Sequence, residues 1–153
     1  MRQALLFTVL VALVATTAAV AALTPTQYRA KLNAVCRGYT PKMKAQERAM
    51  TAAQKSNNGQ AYGVALGKLL LYTLQEDATI ESTAVPVALR TQMTPIITTL
   101  KKADAHIRAG IRDAANNDAT GLAAQLKAAG TVASGLNAKL DAAGLRDCGS
   151  RQT

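Results

Sequence analysis

Thr24-Pro25-Thr26-Gln27-Tyr28-Arg29-Ala30-Lys31-Leu32-Asn33-Ala34-Val35-Cys36 opens the first long helix of this chain and carries the first of its two cysteines. Thr24 can cap the helix, Pro25 suits its first position, and Gln27 completes a capping box. Tyr28, Leu32 and Val35 begin an apolar stripe. It continues through Tyr39, Met43, Met50 and Ala53, with Gln46 filling one slot. That is the three-four spacing of one helix face. Gly38 and Pro41 fall inside the stripe. Proline lacks an N–H and crowds the turn before it. Because the stripe keeps register across Pro41, it predicts a kinked helix or two short helices in line, closed by Asn57-Asn58-Gly59.

Three more helical segments follow. The second, over about 60–83, presents Tyr62, Leu66, Leu69, Leu70, Thr73, Leu74 and Ile80. Val64, Leu71 and Tyr72 widen that face, so this helix is expected to be the most buried. The third, over about 87–115, presents Met93, Ile96, Ile97, Leu100, Ala103, Ile107, Ile111 and Ala114. Pro95 is expected at its first position or at a kink. Asn116-Asn117-Asp118 is the next turn, with Asp118 as a cap. The fourth, over about 119–143, aligns Leu122, Leu126, Ala129, Ala133, Leu136, Leu140 and Ala143, and Gly144 is a ready C-terminal cap.

Hydrophobic residues make up 49% of the chain but aromatic residues only 3%, with no Trp. Alanine, the best helix former, carries much of the apolar share. Strand-type runs are missing from 23–149. The fold class is therefore all-α. Short turns between long helices favour antiparallel neighbours. The expected architecture is an antiparallel up-down four-helix bundle with a kinked first helix, over residues 23–149.

The N-terminus reads as an export signal. Met1-Arg2-Gln3 is a short basic start, residues 4–14 are apolar apart from Thr8, and Ala19-Val20-Ala21 fits a small-x-small cleavage site. Residues 1–22 are expected to be a signal peptide cut after Ala21 or Ala22. The competing reading is an uncleaved anchor, since 4–23 is almost long enough to span a bilayer. Its short h-region, rich in Ala and Thr, favours cleavage. No Cys follows the apolar run closely enough for a lipid anchor. Residues 150–153 are expected to be a disordered tail. In an oxidising compartment, Cys36 and Cys148 are expected to form a disulfide. Such a bridge closes a very long loop, worth about 4–5 kcal/mol in the chain-entropy model. An even number of antiparallel helices would bring Cys148 back beside Cys36.

The stretch Tyr28 … Lys31-Leu32-Asn33-Ala34-Val35-Cys36, the closing Gly144-Leu145-Arg146-Asp147-Cys148-Gly149 and the turn centred on Asn117-Asp118 resemble small exported helical proteins and lipoproteins of high-GC actinobacteria. The resemblance implies location and fold, and no reaction.

The formal net charge is +9. In helix 1, Arg29, Lys31, Arg37, Lys42, Lys44, Arg48 and Lys55 face only Glu47. A basic exported surface attracts an anionic membrane surface or a phosphate-bearing cell-wall polymer. Arg37, Lys42, Lys44, Arg48 and Lys55 are the candidate contacts, against the blander reading of a solvated face. Nucleic acid is excluded as a partner by compartment and by the lack of aromatic residues among the basic ones. Glu76, Asp77 and Glu81 at the end of helix 2 are expected to pair with Arg29, Lys31 and Arg37.

No catalytic signature is present. The serines lie in no elbow motif, no Gly-rich phosphate loop follows a strand, and the carboxylates are expected to be exposed. One histidine, His106, cannot build a multi-histidine metal site, and no cofactor is called for. The chain is read as a non-enzymatic binding or interaction protein of the cell envelope or exterior. The alternatives are a small apolar-ligand or haem carrier, haem being held by His106 with Tyr28, Tyr62 or a Met, and an enzyme of unrecognised type. The apolar-ligand reading places the ligand in a gap between Ala-rich helices near Pro41.

Overall fold

The computed structural model describes residues 22–149. Apart from Ala22, the expected signal peptide lies outside that span, as does the tail at 150–153. The described residues are helical with no strand. They form α1 (Pro25–Lys55), α2 (Gly59–Ser82), a 3-10 turn (Val87–Leu89), α3 (Arg90–Ala115), α4 (Ala119–Val132) and α5 (Leu136–Ala142).

The capping box of α1 forms as expected. Thr24 Oγ1 accepts from Gln27 N–H at 3.3 Å, and Thr24 N–H donates to Gln27 Oε1 at 3.0 Å. α1 then runs unbroken through Gly38 and Pro41. The turns at 56–58 and 116–118 use one design. Asn57 and Asn117 adopt left-handed backbone at φ 50° and 60°, a conformation Asn tolerates better than most residues. The next N–H reaches back to close the helix, from Asn58 to Ala53 O and from Asp118 to Asp113 O, each at 2.9 Å. The same Asn58 and Asp118 side chains then cap the following helix, accepting from Ala61 N–H at 3.0 Å and Gly121 N–H at 2.8 Å. One residue ends a helix with its backbone and starts the next with its side chain.

Consecutive helices pack as two pairs. α1 lies along α2 and α3 along α4, whereas α2 and α3 meet less extensively and α5 rests on α3. Two apolar clusters result. The larger joins Tyr28, Leu32 and Cys36 of α1 to Ile80, Met93, Ile96, Leu100, Leu136, Leu140, Leu145 and Cys148. The smaller holds Leu70, Leu74, Ile107 and Ala129.

Two expectations are corrected. The fourth segment is broken: Gly135, at φ 75°, separates α4 from α5. A glycine enters that conformation at no steric cost, so the apolar stripe bends there instead of running straight. Of the two places expected for Pro95, the structure shows the one inside the helix, since α3 starts at Arg90. α2 is not apolar-buried throughout. Val64 and Leu71 are 54% and 50% exposed, while Glu76 and Asp77 are buried.

At the C-terminal end, Gly144 closes α5 as expected. Its φ is 81°, Leu145 N–H reaches Leu140 O at 2.8 Å, and Gly144 N–H reaches Asp141 O at 2.9 Å. Leu145 turns inward and is fully buried. Cys148 is bonded to Cys36, their Cα atoms 5.0 Å apart across a sequence separation of 112. Replacing both cysteines by alanine is expected to cost about 2–5 kcal/mol of stability, measured as a lower urea midpoint. A midpoint unmoved by the double substitution would contradict this.

Candidate functional site: a cavity holding buried carboxylates

Residues at four-residue intervals on α1 clasp the C-terminal segment. Arg29 Nε donates to Ala143 O at 2.8 Å, and Asn33 Nδ2 donates to Gly144 O at 3.0 Å. Asn33 Oδ1 accepts from Asp147 N–H at 3.0 Å, and Arg37 pairs with the Asp147 carboxylate. With Cys36 on the adjoining face, these contacts hold residues 143–149 across α1. Arg29 and Arg37 are therefore engaged with the C-terminal segment. The acidic end of α2 faces α3 instead.

Above this clasp the helix pairs leave a cavity of about 420 Å³. It separates the two apolar clusters. Leu70, Ile107 and Ala129 line one side, and Ile80, Leu100, Leu136 and Leu140 line the other. Met43, Lys44 and Glu47 contribute from α1, close to Pro41. Cys148 and Gly149 form part of the wall. Two carboxylates, Glu76 and Asp77, also line it. They are 4% and 8% exposed, and Asp104 on α3, bonded to Asp77, is 5% exposed. Asp104 Oδ1 and Glu81 Oε1 are buried with no hydrogen-bond partner among the described residues. The cation nearest Asp104 is Arg108, at 4.0 Å and itself more than half exposed.

Burial is the main force on these acids. It pushes Asp77 up to about 9, and the neighbouring charges of Asp104, Glu76 and Glu81 and the hydrogen bond with Asp104 push the same way. Asp104 is also raised by burial, against the opposing pull of the Asp77 hydrogen bond and Arg108. Glu81 is raised by burial and by Asp104, with Lys101 and Arg108 opposing. Two carboxylates in contact cannot both ionise cheaply. At neutral pH, Asp77 therefore holds a proton and donates it to Asp104.

A signal for this pair was present in the sequence. Asp77 stands three residues after Leu74 and three before Ile80, and Asp104 stands four after Leu100 and three before Ile107. Both acids occupy slots of an apolar stripe.

The basic residues of α1 have separate fates. Arg37, Lys44 and Arg48, with Thr40, Pro41 and Asp147, surround a second, surface pocket of about 420 Å³. Lys42 instead lies over the rings of Tyr39 and Tyr72, at 4.8 Å and 5.8 Å from their centroids. Lys55 is exposed in the last turn of α1. His106 is half-buried, its Nδ1 2.8 Å from Gln125 Oε1. Tyr28 is buried in the larger apolar cluster. Neither lines the central cavity. The one close grouping of potential metal ligands among the described residues is Cys36, Cys148 and Glu76, within 4.8 Å of one another. Sulfurs tied in a disulfide are not thiolate ligands. Among the described residues, no helix is long and apolar enough to cross a membrane.

No protein-family model, curated protein or solved structure matches this chain.

The raised acid sets the sign of a pH effect. A group whose folded pKa exceeds its unfolded value stabilises the fold fully below the unfolded value. That stabilisation is lost as pH rises towards the folded one. For Asp77 the window runs from about 4 to about 9. The thermal midpoint is expected to rise as pH is lowered from 8 to 5. Asp77→Asn should raise the midpoint at pH 8 and flatten the slope. A wild-type midpoint independent of pH over that range would contradict a buried protonated Asp77.

Proposed function

We propose that this chain is an exported binding protein whose central cavity takes a small, mainly apolar ligand. In this reading residues 1–22 are a signal peptide removed after Ala21 or Ala22. The two helix pairs stack as an antiparallel up-down bundle, and the protein works outside the cytoplasm. The disulfide supports a non-reducing compartment. The short turns at 56–58 and 116–118 support the antiparallel order. The likeness to exported actinobacterial helical proteins belongs to the same proposal.

The observation that carries the reading is the cavity itself. Its volume falls in the range of small-molecule sites, its walls are apolar, and a few polar groups converge on it. Acids shifted by burial in a concave site are a recognised mark of function. Binding, without chemistry on the ligand, is the activity proposed. Native mass spectrometry of protein purified from its own host should show a bound small molecule. Ala129→Phe, which projects a ring into the cavity, should remove that species while the protein stays folded. A clean apo mass for the unaltered protein would overturn the reading.

A second reading rests on the pocket surrounded by Arg37, Lys44 and Arg48. There the α1 surface holds anionic headgroups of a membrane or phosphates of a wall polymer. Retention on vesicles rich in anionic lipid should fall steeply between low and physiological salt. Arg48→Glu together with Lys44→Glu should abolish it. Retention unaffected by either change would remove this reading.

A further inference from the structure

We propose that the central cavity and the surface pocket beside it hold one ligand between them: a single-chain anionic amphiphile. Its apolar chain lies in the cavity, and its oxyanion headgroup lies against Arg37, Lys44 and Arg48. The inference rests on the cavity being the ligand site and adds the chemistry of its occupant.

Three observations carry it. The first is that the two spaces share a wall. Lys44 lines both. In the C-terminal segment, Asp147 lines the surface pocket while Cys148 and Gly149 line the cavity. A lysine lays its methylene stem along apolar surface and keeps its ammonium at the polar edge. Lys44, half-buried at this junction, suits a ligand that changes from apolar to charged at the same place.

The second is the division of charge. The polar residues of the cavity wall are Lys44, Glu47, Thr73, Glu76, Asp77 and Asn137, and Lys44 is the one cation in that lining among the described residues. The Thr73 hydroxyl is engaged with Leu69 O at 3.1 Å. The surface pocket sets Arg37, Lys44 and Arg48 against Asp147 alone. A negative headgroup is therefore repelled from the cavity and drawn to the pocket. The chain meets Leu70, Leu100, Ile107 and Leu136, beside an Asp77 that burial keeps protonated at neutral pH. A cationic amphiphile would sit the other way round, with its charge inside and its chain against arginines.

The third is Arg48. Arg37 is already held by Asp147, whereas Arg48 is exposed and has no ion-pair partner among the described residues. A guanidinium presents its N–H donors in a planar fork that matches the oxygens of a phosphate or carboxylate.

The test measures binding of dodecyl phosphate, dodecanol, dodecylamine and inorganic phosphate to the intact disulfide-bonded protein at pH 7, with each amphiphile below its micelle-forming concentration. Dodecyl phosphate should bind about tenfold or more tighter than dodecanol, as charge-assisted hydrogen bonds imply. That preference should shrink with added salt. Inorganic phosphate should bind far more weakly than dodecyl phosphate. Arg48→Gln should lower dodecyl phosphate affinity about tenfold, and Ala129→Phe should weaken dodecyl phosphate and dodecanol alike. Dodecanol or dodecylamine binding as tightly as dodecyl phosphate, or indifference of dodecyl phosphate to Arg48→Gln, overturns the headgroup assignment and leaves the cavity reading standing. Inorganic phosphate matching dodecyl phosphate, or dodecyl phosphate indifferent to Ala129→Phe, puts the chain outside the cavity and overturns the shared site. Failure of both dodecyl phosphate and dodecanol to bind overturns this inference and the cavity reading together.

Discussion

The bond between Cys36 and Cys148 is the constraint on which the rest of the structure depends. It fixes the last described turn of the chain against the middle of α1. The polar ladder of Arg29, Asn33 and Arg37 then lies in register with the backbone of residues 143–147. Leu145, fully buried beneath that segment, joins the apolar cluster that contains Tyr28 and Leu32. Covalent, polar and apolar contacts thus act at one end of the molecule. At that end the two helix pairs are held together. Further along, α2 and α3 meet less closely, and the cavity opens between them. Cys148 and Gly149 belong both to the clasp and to the cavity wall. The staple that stabilises the fold also shapes the site.

The buried acids are the second organising fact. A helix face that reads apolar over most of its length carries an acid at the position where the two helix pairs would otherwise seal. Burying carboxylates costs several kcal/mol per ion unless they are neutralised or paired. Here one acid takes up a proton and shares it with the other. That solution is incomplete, since Asp104 Oδ1 remains without a partner. A fold selected only for stability would gain by replacing Asp77 and Asp104 with apolar residues of similar size. The retained cost points to a task for the pair.

Much of the fold was legible from local rules. The capping box at Thr24, the paired Asn turns and the glycine cap at Gly144 each depend on a few adjacent residues, and each forms as read. Position in three dimensions was less legible. Gly135 sits in an unbroken apolar stripe, and only its left-handed backbone shows that the stripe bends. Asp77, Glu81 and the basic residues of α1 invited pairing by charge. The C-terminal segment engages Arg29 and Arg37 instead, which no helix-wheel argument reveals. The carboxylates were read as exposed because acids on helices usually are. The stripe slots held by Asp77 and Asp104 argued the opposite.

The central claim is that two buried carboxylates on facing helices, Asp77 in the wall of a ligand-sized cavity and Asp104 behind it, share one proton. Carbon-13 NMR titration of the Asp side-chain carboxyls tests it directly. The account predicts that Asp77 stays protonated through neutral pH and titrates near 9, and that Asp104→Asn shifts its titration. Ordinary titration of both Asp77 and Asp104 near pH 4 would contradict the account.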